Sequence, residues 1–172
     1  MTSPADPTLF WPLIDRARTS SGEDLAGFSD ALRELLRAQS NEQIAAFDDQ
    51  LGRLMDRAYT WPLWGAAYVI NRGCSDDSFA YFRAWLVAQG ETVFEQALKD
   101  PDSLAELPLV LNDGETELES LLSLAWSLYE ERTGQYPPAT GEEQPVPDPS
   151  GRRWDEDDLA TLFPNLTARY GC

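Results

Sequence analysis

Apolar residues recur at helical spacing almost from the start of the chain. Leu9, Phe10, Leu13, Ile14 and Ala17 share one face after an Asp6-Pro7 opening, an N-cap followed by a first helical position, which predicts a helix from Pro7 to Arg18. A second stripe, Leu25, Phe28, Leu32, Leu35 and Leu36, follows the Ser20-Ser21-Gly22 break, with Glu23 and Asp24 where the helix dipole favours acids. Ser40-Asn41-Glu42-Gln43 reads as a capping box, and Ile44, Phe47, Leu51, Leu54, Met55 and Ala58 continue it as a third helix.

The next segment differs in kind. After Pro62 at a first helical position, Leu63-Trp64-Gly65-Ala66-Ala67-Tyr68-Val69-Ile70 is nearly all apolar, the pattern of a helix at the centre of a domain. Tyr68-Val69-Ile70 would suit a strand, but the chain offers no second strand-like run to pair with it. Asn71-Arg72-Gly73 reads as a C-cap turn. A fifth helix then opens at Ser75-Asp76-Asp77, carries Phe79, Phe82 and Leu86, and ends at Gln89-Gly90; Val93, Phe94, Ala97 and Leu98 mark a short sixth ending before Asp100-Pro101.

Beyond a connector containing Pro108, the stripe Leu118, Leu121, Leu122, Ala125, Leu128 and Tyr129 predicts a seventh helix closing at Gly134, with Glu115, Glu117 and Glu119 near its start. Residues 134–153 hold five of the twelve prolines without apolar periodicity and read as an extended or mobile loop. A last short helix is expected from Asp155 to Phe163, stopping before Pro164 and pinned by Trp154, Leu159, Leu162 and Phe163. The expected fold is an all-α bundle of seven or eight helices around the central apolar one. Its 172 residues suit one domain, 1–172, with the Pro-rich loop inside it.

Composition narrows the function. Thirty acids against thirteen bases leave a net charge of −17, which argues against nucleic acid or an anionic membrane as partner. Residues 100–158 carry 16 acids and three bases, so the C-terminal third is the acidic end. Solubility and compositional bias (Lys99 is the one lysine) explain this as readily as a cationic ligand or basic partner does. No apolar run reaches the length of a membrane span and Met1–Asp6 lacks the pattern of a signal peptide, so a cytoplasmic setting is expected, with Cys74 and Cys172 as free thiols rather than a bridge.

There is no histidine, which removes the commonest general base, the commonest zinc ligand and the Ser-His and Cys-His pairs. Phosphate loops, dinucleotide fingerprints, Cys-x-x-Cys pairs and calcium loops are likewise missing, and no cofactor is expected. Four constellations remain. Asp76 and Asp77, after Asn71-Arg72-Gly73-Cys74, either serve the start of helix five or hold a ligand or metal. Cys74 has a helix N-terminus beside it, but the adjacent carboxylates oppose ionisation. Arg83 shares the Phe79 and Leu86 side of its helix and needs a partner, either a carboxylate such as Asp15 or Glu95 or a ligand carboxylate. Trp11, Trp61, Trp64, Tyr68 and Trp85 are core residues or the lining of an apolar or cation-accepting pocket. The acidic band Glu142–Asp158 is a solvated surface or a docking tail.

Several of these runs are familiar in combination: Phe10-Trp11-Pro12-Leu13-Ile14-Asp15, Ala58-Tyr59, Trp64-Gly65-Ala66-Ala67-Tyr68, Asn71-Arg72-Gly73-Cys74-Ser75-Asp76-Asp77-Ser78-Phe79, Tyr81-Phe82-Arg83-Ala84-Trp85-Leu86 and Gln89-Gly90. Together they resemble a bacterial domain of unknown function, numbered forty-two-forty, over about residues 7–132. The resemblance implies a family and no particular reaction, catalytic residue or cofactor. The leading expectation is a binding or accessory protein that engages a protein with a basic surface, or a small molecule, at an aromatic-lined groove formed by Trp64, Tyr68, Asn71, Asp76, Asp77 and Arg83. The alternatives are an enzyme of a specialised biosynthetic or modification pathway, with Asp76 or Asp77 as acid-base group or metal ligand and Arg83 orienting an anionic substrate, and a protein that neutralises a basic toxin. An enzyme would bring these side chains to one cleft; a binding protein could leave them buried and offer a surface.

Overall fold

A computed structural model describes residues 7–108, 116–139 and 147–171. Nine α-helices lie among them: α1 Phe10–Ser21, α2 Leu25–Arg37, α3 Asn41–Arg57, α4 Trp61–Asn71, α5 Asp76–Ala88, α6 Glu91–Lys99, α7 Glu119–Thr133, α8 Leu159–Leu162 and α9 Pro164–Tyr170. Short 3-10 turns cover Pro7–Leu9, Pro101–Glu106 and Glu156–Asp158. The fold is all-α, and among the described residues no helix is long and apolar enough to cross a membrane.

Local chemistry sets most of the helix starts. Ser40 accepts from the Gln43 N–H while Gln43 accepts from the Ser40 N–H, the reciprocal box expected from the sequence. Thr60 accepts from Leu63 N–H at the head of α4, where Pro62 fits because that turn needs no donor. Ser75 caps α5 by accepting from Ser78 N–H, so Asp76 and Asp77 occupy its first turn. At the end of α4 the left-handed position is taken by Arg72 itself, at φ 57°.

Helix α1 packs along α2, α3 and α5 pack on α7, and α4 packs against α5, α9 and the 101–106 turn. Leu63, Ala66 and Ala67 of α4 are fully buried, as its uniformly apolar sequence predicts. Buried apolar side chains from Phe10 to Tyr170 join in one cluster.

The C-terminal segment departs from the sequence expectation. The stretch from Asp155 does end at Phe163, but Pro164 also begins α9, whose Leu166 and Tyr170 are buried. Proline stops one helix and suits the first turn of the next, and only the stop was legible. The donors of that first turn are met from far away in sequence. Asp102, buried in the 101–106 turn, accepts from Asn165 N–H at 3.1 Å, from Asn165 Nδ2 at 2.7 Å and from Leu166 N–H at 2.8 Å. The end of the Pro-rich loop is fixed as well: Ser150 pairs with Thr60 as a parallel bridge, with Ser150 N–H donating to Tyr59 O at 3.0 Å and Trp61 N–H donating to Ser150 O at 2.8 Å. Residues 140–146 of that loop, with Glu142 at the start of the acidic band, and the connector 109–115 with Glu115 lie outside the described residues.

Gly65 lets the tail reach α4. A Cβ there would stand 2.6 Å from Phe163 Cε2 and 2.9 Å from Trp154 Nε1. Gly65→Ala therefore sets a helix-propensity gain of about 1 kcal/mol against overpacking of about 1–3 kcal/mol. Phe163 is buried and the Trp154 indole is tethered, so overpacking wins and the melting temperature falls by a few degrees. Gly52, on an open face of α3 with nothing within 4 Å, supplies the control: Gly52→Ala raises stability by about 1 kcal/mol. Thermal melts of the two variants with shifts of the same sign would contradict this account.

Candidate functional site

The residues singled out from the sequence meet only in part. Their centre is a column of aromatic rings on one side of α4 and α5. Trp61 and Trp64 stack at 5.3 Å with planes 8° apart, and Trp64 stacks on Phe79 at 4.9 Å and 12°. Tyr59 stacks on Phe79 at 6.0 Å with planes 29° apart. The spacing puts Trp61 and Trp64 one turn apart on α4, while Tyr59 arrives from the turn that follows α3. The Trp64 indole donates to Cys74 O at 3.0 Å, which fixes the ring in place.

Guanidinium groups close both ends of this column. Arg83 lies over Tyr59 at 4.6 Å and Phe79 at 4.9 Å, and Arg153 lies over the outer face of Trp61 at 5.1 Å. Such contacts contribute about 0.5–2 kcal/mol each, more when water is excluded. Arg83 Nη1 donates to Met55 O at 2.8 Å and its Nε is buried without an acceptor. Burial pulls its ionisation below the ordinary arginine value, opposed by Tyr59, Asp76 and Asp56; the group stays charged. The carboxylate partners expected for it are engaged elsewhere. Glu95 is held by both terminal nitrogens of Arg57, at 2.8 and 2.9 Å, and Asp15 pairs with Arg18 at 3.6 Å. Helix spacing placed Arg83 on a partly buried face, but could not reveal that π-faces and a carbonyl would meet it.

Tyr68 and Asn71 leave this centre. The Tyr68 hydroxyl donates to Glu156 at 2.8 Å and its ring lies 5.3 Å from Trp154. Asn71 accepts from the buried Thr116 hydroxyl at 2.6 Å, and its own Nδ2 is buried without a partner. Asp76 and Asp77 are exposed in the first turn of α5. Among the described residues no group of three or more Asp, Glu or Cys side chains is gathered as a metal ion would need. Of the other tryptophans, Trp85 is core, and Trp11 packs apart from the column against Phe10 and Phe94. Sequence reasoning did not single out Arg153, Gly65 or Tyr59 for the site; Tyr59 was visible only as part of the family-like run.

Cys74 is a free, half-buried thiol, and burial, with Glu117 adding to it, pushes it up to about 12 against the pull of Arg83. The opposing charge is thus Glu117 rather than the adjacent aspartates. Cys172 lies outside the described residues. Because the folded thiol holds its proton more tightly than the unfolded one, this group leaves stability unchanged below about pH 9 and lowers it as pH rises from there toward 12. In a Cys172→Ser background, alkylation of native Cys74 at pH 8 is expected to be slower than in urea by on the order of 100-fold or more. Equal rates would place a thiolate in the folded protein.

With this geometry in place, comparison with known proteins gives one match. The model of a family described as "Protein of unknown function (DUF4240)" matches residues 6–131. Neither the curated proteins nor the solved structures gave a match.

Proposed function

The chain belongs to the DUF4240 family, and for it we propose a binding role, as an accessory protein that engages a basic segment of a partner protein in a cytoplasmic setting. The observation that carries this reading is the divergence of the chemically capable side chains. Arg83 is clamped by Tyr59, Phe79 and Met55 O, Tyr68 faces Glu156, and Asn71 faces Thr116. Catalysis by carboxylates asks for an acid or base, a substrate-orienting cation and a shared cleft, and here Arg83, Tyr68 and Asn71 are each taken up by different neighbours.

What faces solvent is acidic. Asp76 and Asp77 are exposed at the head of α5, which carries Phe79 and Arg83 of the aromatic column, on a chain of net charge −17. Such a surface favours fast, salt-sensitive association with a basic protein and disfavours nucleic acid.

The test is affinity purification from the native host, with the wild type beside an Asp76→Asn/Asp77→Asn variant of matched circular dichroism. A stoichiometric basic partner is expected, released as ionic strength rises and held more weakly by the variant. Copurification of a small molecule with the wild type, and no protein partner at any salt concentration, overturns this reading in favour of an enzyme or ligand carrier.

A further inference from the structure

The C-terminal segment occupies α4 in the manner of a bound peptide. Its backbone is read through two main-chain bonds, Ser150 N–H to Tyr59 O and Trp61 N–H to Ser150 O, which any sequence could make. Three side chains then supply selectivity. Trp154 enters the space left by Gly65 and donates its indole N–H to Trp61 O at 2.7 Å. Arg153, itself exposed, lays its guanidinium on the outer face of Trp61. Glu156 accepts from the Tyr68 hydroxyl. Gly151, at φ 83°, passes Pro62 so closely that a Cβ would stand 3.0 Å from Pro62 Cδ.

The seat and its occupant lie on opposite sides of the end of the family match. Tyr59, Trp61, Gly65 and Tyr68 all fall inside the family segment, residues 6–131, and Ser150 to Glu156 all fall beyond it. In this chain the family segment therefore holds the whole seat, and a segment reached through a Pro-rich stretch fills it.

We propose that the α4 seat is a recognition site for an extended protein segment bearing Gly, Arg and Trp in the spacing of Gly151, Arg153 and Trp154, and that residues 150–156 are its intramolecular occupant. This rests on the binding reading above and names the chemistry of the partner. An acidic chain with the half-buried Trp61 ring at the seat selects for arginine, through charge and through the ring. The gap at Gly65 admits an indole edge and offers it the Trp61 carbonyl, so alanine in place of the tryptophan forfeits both packing and a hydrogen bond. Main-chain pairing at Tyr59 and Trp61 sets the register, as in strand-addition recognition.

The experiment uses the full chain and a fluorescein-labelled synthetic peptide of residues 148–157, read by fluorescence polarisation. The Arg153→Ala/Trp154→Ala variant empties the seat, while Phe163, Leu166 and Tyr170 still anchor the tail. Because the tethered occupant acts at an effective concentration of roughly millimolar, the opened variant is expected to bind the peptide at least about ten-fold more tightly than the wild type. Peptides with either Arg153 or Trp154 replaced by Ala, and the opened variant carrying Trp61→Ala, are expected to lose that binding.

An opened variant with wild-type helical signal that fails to bind the peptide at about 1 mM, the effective concentration of the tether, overturns the proposal. Should that variant not fold, Arg153→Glu alone changes only an exposed side chain. Peptide binding above wild type then supports the seat, and binding equal to wild type overturns it. Capture of a basic partner by a chain whose opened seat ignores the peptide would remove the seat and leave the broader binding role standing.

Discussion

Phe79→Ala is expected to lower the free energy of unfolding by about 4 kcal/mol, the largest effect of any single substitution considered for this protein. Phe79 is fully buried, and its ring is the shared member of the aromatic column, meeting Trp64, Tyr59 and Phe82. Truncation removes the transfer energy of the ring and leaves a cavity that flat neighbours cannot collapse into without tilting. It also strips one of the two π-faces from the Arg83 guanidinium, whose Nε already lacks an acceptor. Phe79→Leu keeps most of the volume and is expected to cost about 1.5 kcal/mol or less, read as a smaller shift in the urea midpoint at unchanged slope. If the alanine variant costs no more than the leucine variant, the column is not a stability element and Arg83 is held by Tyr59 and Met55 O without Phe79.

Asp102→Ala is the second, with an expected loss of about 3 kcal/mol. The Asp102 side chain is 7% exposed and accepts three N–H donors at the head of α9. Bonds to an ionised acceptor are the stronger kind, and the Leu166 N–H, buried with its residue, has no water to turn to once the carboxylate is gone. Asp102→Asn keeps one acceptor oxygen and is expected to cost about half as much. Hydrogen exchange gives a local readout: the amides of Asn165 and Leu166 should exchange faster in Asp102→Ala, ahead of those in α3 or α7. Uniform acceleration across the chain would mean that α9 has no stability of its own to lose.

Much of the architecture was legible because it is written locally. The Ser40 box, Pro62 at the head of α4 and the apolar stripes each act within one or two turns, and α3 and α4 stand where these signals put them, whereas α1 runs past Arg18 through Ser20 and Ser21 and stops only at Gly22. The all-apolar run at Leu63–Ile70 disclosed its own burial. Helix α9 was not legible, since its first-turn donors are met by a carboxylate more than sixty residues away. The same holds for the candidate site. Periodicity gave the side of the helix on which Arg83 lies, but the choice between Glu95, Asp15 and the ring of Tyr59 depends on how α3, α5 and α6 cross. Tyr68 and Asn71 sit on the right helix and face away from the column, because Trp154 and Thr116 draw them to other neighbours. Gly65 read only as one member of the central apolar run, and its lack of a side chain proved to make room for Phe163 and Trp154.

The packing of α9 on α4 also bears on how the protein is made. A chain that leaves the ribosome from its N-terminus presents Leu63, Ala66 and Ile70 early, whereas Leu166 and Tyr170, which help to enclose that helix, emerge only after α5, α6 and α7. Until residues 164–170 have followed, the most apolar helix stays uncovered on one side, an exposed surface of the kind that chaperones shield. A premature stop before residue 164 would strand it in that sticky state.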